Sequence, residues 1–200
     1  MRPVVEAERR QLTVLFCDLV GSTAFSEKLD PEDLHEVLQE YHSASTEVIR
    51  RFEGYVAQYL GDGLLVYFGY PMAHEDEARR AVSAGLGILE AMARLSPKVR
   101  AKHGVDLTVR IGIHSGPVVV GEVGGVQRQE RLALGETPNL AARLQSLAEP
   151  GTMLISQVTH QMTLGYYTCR ELGPRTLKGL SHQVTVHQVL GESGANHRME

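Results

Sequence analysis

The spacing of hydrophobic and polar residues changes several times along this chain, and each spacing predicts a different element. Residues 11–19 (QLTVLFCDL) are almost continuously apolar, which is typical of a short central β-strand buried on both faces. From Pro31 to Phe52, apolar residues recur every three or four positions and predict a long amphipathic helix. Asp30 is its expected N-cap residue, and Gly54 its expected left-handed C-terminal cap.

A hairpin is predicted directly after this helix. Two apolar runs, over residues 55–60 and 64–69, flank Asp62, which lies between two glycines. Asp-Gly between apolar runs is a strong hairpin signal. The remaining pattern predicts, in chain order, a helix over 71–95, two strands or one long ribbon over 106–124, a helix from Thr137 to about Leu147, a short strand within 149–156, and late strands over 166–173 and 183–190.

The order of these elements indicates the fold class. The order βαββαβ predicts an α+β protein with a ferredoxin-like split βαβ core and further elements at the C-terminus. A doubly wound sheet is the alternative, but it needs a helix where this chain has a two-residue hairpin. We expect one domain over residues 11–190, an N-terminal lead over 1–10 and a flexible tail over 191–200.

Composition narrows the class of protein further. The chain has 200 residues, of which 42% are hydrophobic and 22% charged, as in ordinary globular proteins. A net charge of −4 argues against nucleic acid as a partner. No apolar stretch reaches the ~18 residues of a membrane span, and the charged start lacks the apolar core of a secretory signal. Because Cys17 and Cys169 are too few for a cysteine metal site or a disulfide framework, we expect a cytoplasmic protein.

The predicted topology brings two carboxylates to one edge of the sheet. The third strand would lie between the first two, so Asp18 at the end of strand one would meet Asp62 in the hairpin turn. Neighbouring carboxylates repel each other unless a cation neutralises them, and Mg²⁺ suits an all-oxygen site that also uses substrate phosphates. The backbone N–H groups of the turn over 19–23 could bind phosphate. Taken alone, each aspartate would more often have a structural role.

Five sequence stretches, in this order, resemble the motifs of the class III nucleotidyl cyclases, the adenylyl and guanylyl cyclases. They are VLFCDLVGST, YLGDGLLVYFG, VRIGIHSGPVVVGEVG, LGETPNLAARL and TLKGL. The resemblance covers residues 10–190 and implies a homodimer of cyclase homology domains, in which both chains build each site. It also implies the reaction: the 3′-hydroxyl of ATP attacks the α-phosphate and gives 3′,5′-cyclic AMP and pyrophosphate.

The same resemblance implies roles for individual residues. Asp18, Asp62 and the backbone carbonyl of Leu19 would hold two Mg²⁺ or Mn²⁺ ions. The substrate phosphates would be bound by a further group: Gly21, Ser22, Thr23 and Lys178.

The other chain of the dimer would contribute Asn139 to orient the ribose and Arg143 to stabilise charge in the transition state. These two residues are four apart in a predicted helix and therefore share a face. The planar fork of arginine suits a crowded phosphate. Taken alone, Arg143 would be a solvated helix residue and Lys178 a loop residue.

The predicted base-reading positions depart from the family pattern. Typical adenylyl cyclases have Lys, and guanylyl cyclases Glu, four residues before the second metal aspartate, where this chain has Gln58. The partner position has Asp or Thr for adenine and often Cys for guanine, where this chain has Leu132. The Gln58 amide can serve either purine, while Leu132 offers no polar contact. We therefore expect either ATP as substrate with weak selection against GTP, or a slow enzyme, because each lost hydrogen bond to the base lowers discrimination by ~1–3 kcal/mol.

Several functions remain compatible with the sequence. The presence of both aspartates, Asn139, Arg143 and Lys178 favours an active cyclase, whereas Gln58 and Leu132 favour a dimerisation or nucleotide-sensing module with little turnover. A guanylyl cyclase is a further alternative. The Asn139–Arg143 helix and the lack of a Gly-Gly-Asp-Glu-Phe-like signature argue against a polymerase-palm or diguanylate cyclase relative.

Two remaining expectations concern histidines and the wider protein. His114, between a predicted strand and a turn, is expected to be packed or hydrogen-bonded rather than to act as a general base. The segment 74–80 (HEDEARR) is expected to be a solvated helix start rather than a metal site. Chains of this type are often one domain of a larger regulated protein.

Overall fold

The computed structural model describes the backbone of residues 8–123, 130–134 and 136–194, and the side chains of 8–120 and 136–194. Within these ranges the chain forms eight strands and five helices. Their bounds are β1 Glu8–Leu19, α1 Ser22–Lys28, α2 Pro31–Arg51, β2 Tyr55–Leu60, β3 Gly63–Phe68, α3 Glu77–His103, β4 Val109–Val123, β5 Glu130–Leu134, α4 Glu136–Leu147, β6 Met153–Ser156, α5 Gln157–Met162, β7 Tyr167–Thr176 and β8 Gln183–Glu192.

The strands form one sheet in the order β2-β3-β1-β4-β6-β8-β7, with β5 paired to β4 outside this path. Strand β3 lies between β1 and β2 and is antiparallel to both. The predicted α+β fold with a ferredoxin-like core is therefore confirmed, and β6, β7 and β8 form its C-terminal extension.

The sheet is covered on both faces. Leu15, Cys17 and Leu19 of β1 pack into the core cluster that contains α2 and α3, whereas Leu12 and Val14 pack with Ala141 of α4. This alternation confirms that β1 is buried on both faces, and burial of both faces explains its almost continuously apolar sequence.

Helix α4 lies directly on β4 because Gly112 has no side chain. A Cβ atom there would lie 2.2 Å from the backbone nitrogen of Gln145 and 2.3 Å from the carbonyl oxygen of Ala141. Such distances are far below van der Waals contact. Gly112 therefore sets how close the helix that carries Asn139 and Arg143 comes to the sheet.

The predicted caps of α2 are half right. Asp30 is the N-cap residue, and its carboxylate accepts a hydrogen bond from the Asp33 N–H at 2.9 Å, as predicted. The expectation for Gly54 was wrong, because the left-handed residue is Glu53, with φ of 57°. Gly54 instead allows close packing, since a Cβ atom there would lie 2.7 Å from the side chain of Ile49.

Several element bounds differ from the sequence pattern. Helix α3 continues past residue 95 through Pro97, because buried Val99 extends its apolar face beyond the proline. The region after it forms one long strand, β4, which is the second of the two predicted forms. Helix α5 was not predicted, because six residues are too few for a periodic signal.

The ends of the chain lie partly in the sheet. Strand β1 begins at Glu8, inside the predicted lead, and β8 ends at Glu192, inside the predicted tail. Residues 1–7 and 195–200 lie outside the described residues. None of the described helices combines the length and the apolar character that crossing a lipid bilayer requires.

Candidate active site

The structure brings Asp18 and Asp62 to the same edge of the sheet. Asp18 pairs with Gly63 across β1 and β3, so the residue beside Asp62 lies directly opposite Asp18. The backbone N–H of Leu19 donates to the carbonyl oxygen of Asp62 at 3.3 Å. The β2–β3 turn therefore lies against the end of β1, as the predicted topology requires.

The carboxyl group of Asp18 is partly buried and lies within the electrostatic influence of Asp62. Burial, followed by the negative charge of Asp62, raises the pKa of Asp18 from its ordinary value of 3.8 to about 6. One carboxyl oxygen, Oδ1, is buried without a hydrogen-bond partner among the described residues. A buried orphaned oxygen beside a second carboxylate is an environment that a divalent cation would stabilise, so these residues fit a metal site.

The turn after β1 holds this arrangement in place. Gly21 adopts a left-handed conformation (φ 70°) and caps helix α1. The Ser22 hydroxyl donates to the carboxylate of Asp62, and the Val20 N–H donates to the carbonyl of Thr108 at 2.8 Å. Ser22 thus orients a predicted metal ligand directly. Gly21 and Thr23 are exposed, and their phosphate-binding role remains a prediction.

Arg110 is a charged residue at this edge that sequence reasoning missed. It lies opposite Asp18 in the register of β1 and β4, and its positive charge opposes the rise in the pKa of Asp18. Its Nε atom is buried and lacks a hydrogen-bond partner within the described part of the chain. Only the pairing register of β1 with β4 could have identified it, because residue spacing alone does not give that register.

The predicted ribose and phosphate residues meet at a second place. Asn139 and Arg143 lie on the exposed side of α4, whose opposite side buries Leu140, Ala141 and Leu144. Together with Lys178 they line an open cavity of about 500 Å³. Neither Asp18 nor Asp62 belongs to the described lining of this cavity.

The rim of that cavity also carries a weak ion pair. Glu136 and His182 line it, and the His182 Nε2 atom lies 3.7 Å from Glu136 Oε1. Both side chains are exposed, so the pair adds little stability. The ion pair does not close the cavity, and Arg143 and Lys178 also line it.

A β-bulge in β2 determines which face of the sheet carries Gln58. The register of β2 with β3 shifts between Val56 and Gln58, so that Gln58 pairs with Leu65. Leu65 pairs in turn with Phe16, two residues before Asp18, which places Gln58 on the same sheet face as Asp18. Leu132 lies in β5, where its backbone pairs with Gly121, but its side chain lies outside the described residues.

His114 is packed and hydrogen-bonded, as predicted. Its Nδ1 atom lies 2.6 Å from the hydroxyl oxygen of Ser156. Burial lowers the pKa of His114 to about 4, so the ring is neutral near pH 7.

This α+β fold, with two converging carboxylates at the end of its first strand, defines a domain of the class III cyclase type. The chain belongs to the family described as "Adenylate and Guanylate cyclase catalytic domain", whose model matches residues 4–191. The resemblance stated from the motifs is thereby confirmed.

The chain is similar both to proteins named adenylate cyclases and to proteins named guanylate cyclases. Adenylate cyclase 1 of Rhizobium meliloti (strain 1021) is 30% identical over 92% of the chain, and Guanylate cyclase 32E of Drosophila melanogaster is 32% identical over 89%. The crystal structure of the adenylyl cyclase CyaB from P. aeruginosa superposes with a TM-score of 0.90, at 33% identity, covering 94% of this chain and 98% of that one. The chain spans only 28% and 16% of the lengths of the two sequence relatives.

Proposed function

We propose that this chain is an adenylyl cyclase domain that converts ATP to 3′,5′-cyclic AMP and pyrophosphate at a homodimer interface. The observation that carries this proposal is the meeting of Asp18 and Asp62 at one edge of the sheet, with a buried, orphaned oxygen on Asp18. The charge of Arg110 only partly offsets the repulsion between the two acids, since the pKa of Asp18 is still raised to about 6, and a divalent cation would offset it further.

The metal ligands in this proposal are Asp18, Asp62 and the backbone carbonyl of Leu19, which would hold two Mg²⁺ or Mn²⁺ ions. When bound, such ions activate a hydroxyl nucleophile and neutralise charge on a leaving phosphate. Ser22 keeps the Asp62 carboxylate in position through its hydroxyl group. Arg110, beside Asp18, supplies positive charge to the bound phosphates.

The second copy of the chain completes the site. Its Asn139 orients the ribose so that the 3′-oxygen faces the α-phosphorus. The 3′-hydroxyl loses its proton to water, a bond forms between its oxygen and the α-phosphorus, the bond from that phosphorus to the bridging oxygen of the β-phosphate breaks, and pyrophosphate leaves. Arg143 stabilises the charge on the phosphorus centre, and Lys178 binds the terminal phosphates.

The separation of the two groups within one chain supports this two-chain arrangement. Asn139, Arg143 and Lys178 line one exposed cavity, and the acid pair is not part of its described lining. This agrees with a site that a neighbouring chain completes, and C2 pairing would create two equivalent sites.

Purine selection in this proposal is relaxed. Gln58 lies on the sheet face of Asp18 and offers both a donor and an acceptor to a base. Leu132 would add no polar contact. Relatives named as adenylate and as guanylate cyclases are 30% and 32% identical to the chain, and the amide of Gln58 suits either purine, so the preference for ATP is the part of the proposal that product identification decides.

Product identification tests the proposal most directly. Purified protein is incubated with Mn²⁺ or Mg²⁺ and either ATP or GTP, and the products are separated and identified. We expect cyclic AMP from ATP and a slower reaction with GTP. Asp18→Ala should abolish product, whereas Asp106→Asn, which changes an exposed surface acid paired with Arg100, should not.

The alternative is a nucleotide-sensing dimerisation module, which the missing polar group at Leu132 favours. It predicts nucleotide binding without cyclic product under all four metal and nucleotide combinations. Cyclic GMP as the faster product would instead assign a guanylyl cyclase.

We also infer the setting of the domain. The thiols of Cys17 and Cys169 are both free, which agrees with the reducing cytoplasm. The small share of each relative that the chain spans agrees with a catalytic domain that is fused to, or regulated by, other domains.

A further inference from the structure

A second group of metal-ligating side chains lies away from the acid pair, between the start of α2 and the end of α3. Asp33 and Glu36 lie in the first turns of α2, and His103 is the last residue of α3. One ligand atom from each of these three residues lies within 4.8 Å of the others.

His103 is the feature that distinguishes this group from an ordinary surface cluster of acids. Its side chain is only 2% exposed, and its Nε2 atom has no hydrogen-bond partner among the described residues. This nitrogen lies 3.5 Å from Glu36 Oε2, and the other ring nitrogen lies 3.7 Å from Asp33 Oδ1. Both separations are too long for good hydrogen bonds.

We infer that Asp33, Glu36 and His103 bind a divalent transition-metal ion of the Zn²⁺ type, with His103 Nε2 and the two carboxylates as ligands. Two ligands on one tetrahedral Zn²⁺ lie about 3.4 Å apart, since Zn–N and Zn–O bonds are about 2.1 Å. The spacing of 3.5 Å between His103 and Glu36 matches that geometry. A ligand set with an imidazole favours Zn²⁺, Co²⁺ or Ni²⁺ over Mg²⁺.

The surroundings allow the third ligand and water to complete the site. The side chains of Asp33 and Glu36 are 47% and 40% exposed, so neither carboxylate is locked by packing and water has access to the open coordination position. Lys102 pairs with Oε1 of Glu36 and leaves Oε2 facing His103. The positive charge of the Lys102 ammonium group opposes cation binding. A variant that lacks this charge should therefore bind the ion more tightly.

The ion would join two segments that lead to the acid pair. Helix α2 follows α1, which carries Ser22, and α3 leads to Thr108, whose carbonyl accepts the Val20 N–H. The inference does not depend on cyclase activity, because its readouts are binding and thermal stability.

Calorimetry on untagged, chelator-treated protein tests the site. The Asp18→Asn, Asp62→Asn variant is used as the background so that Zn²⁺ cannot bind the acid pair. We expect one Zn²⁺ per chain, with a rise of several degrees in Tm. Co²⁺ should give the visible absorption bands of a site with nitrogen and oxygen ligands.

Matched variants identify the ligands. In this background, His103→Gln and Glu36→Gln should each weaken Zn²⁺ binding at least tenfold and remove the Tm shift. His35→Gln is the control: it changes an exposed histidine of α2, beside Glu36, and should leave Zn²⁺ binding and the Tm shift unchanged. Lys102→Met should tighten binding several-fold, because it removes a competing cation from Glu36.

Contrary results are equally clear. Absence of Zn²⁺ binding at a several-fold excess of ion, or binding that persists in both His103→Gln and Glu36→Gln, would overturn the inference. If His103→Gln does not fold, the result from Glu36→Gln decides, since that side chain is partly exposed. Loss of binding in His35→Gln alone would place the ion elsewhere.

Discussion

The carboxyl group of Asp18 lies beside that of Asp62 where β1 ends, and one Asp18 oxygen is buried there without a hydrogen-bond partner among the described residues. The β1–β3 register fixes this relationship, because it places Gly63 directly opposite Asp18. Two acids held in this way destabilise the metal-free fold. The same repulsion becomes favourable once divalent cations neutralise it.

The stability of the metal-free protein should depend on the protonation of Asp18. Burial and the charge of Asp62 raise the pKa of Asp18 from 3.8 to about 6. Between these values the folded protein holds a proton that the unfolded chain has lost, so this contribution to stability falls as pH rises through the window. Above pH 6 the stabilisation from the protonated Asp18 carboxyl group is lost.

Denaturant titrations with a chelator present, across this pH range, measure the effect. Asp18→Asn should remove this part of the pH dependence and stabilise the metal-free protein near neutral pH by about 1 kcal/mol, allowing for solvent screening of a half-buried group. An Asp18→Asn variant that is no more stable than the parent at neutral pH, with the same pH dependence, would contradict the assignment.

Mixing two inactive variants tests whether each site uses both chains. Asp18→Asn lacks a metal ligand, and Arg143→Ala lacks the transition-state contact. After subunit exchange, half of the dimers are mixed, and each has one intact site, so about a quarter of the parental activity should return. Cyclic product formation measures it. No recovery, despite confirmed exchange, would place all these groups in one chain.

Substitution of Gln58 should change the choice of purine. In Gln58→Glu the side chain can only accept hydrogen bonds, which suits the two N–H groups on the guanine edge and repels the N1 acceptor of adenine. We expect the ratio of kcat/KM for GTP over ATP to rise about tenfold, as the gain or loss of one hydrogen bond implies. An unchanged ratio would show that Gln58 does not contact the base.

A methyl group at Gly112 should detach α4 from the sheet. In Gly112→Ala the new Cβ atom would clash with backbone atoms of Ala141 and Gln145, which cannot move without the helix. We expect a loss of about 3 kcal/mol or more in the free energy of unfolding, together with lost activity. Gly191→Ala is the control, because its new methyl group meets no atom within 4 Å and should be nearly neutral. Urea denaturation of both variants measures the difference.

The sequence was informative wherever a feature depends on neighbouring residues in the chain. The N-cap at Asp30, the hairpin turn at Asp62 and the buried strand at 11–19 are local, and all three were found as expected. Gly54 misled the prediction, because a glycine after a helix signals either a left-handed turn or a close contact. Here the contact with Ile49 and Phe68 is the reason.

The amino-acid sequence by itself determined the βαββαβ order of the core elements, the approach of Asp18 to Asp62 and the shared helix face of Asn139 and Arg143. Local periodicity and hairpin chemistry fix these features, and a split βαβ core then leaves one arrangement. Only the tertiary structure decided the partners that depend on register. Arg110 lies opposite Asp18, and a bulge places Gln58 on the sheet face that carries Asp18. His103 lies beside Asp33 and Glu36 of another helix. Side chains alternate between the two faces of a strand, so a shift of one residue in register moves every side chain to the opposite face. The register of strands distant in the chain, and the position of a bulge, depend on how the strands pack in the folded protein.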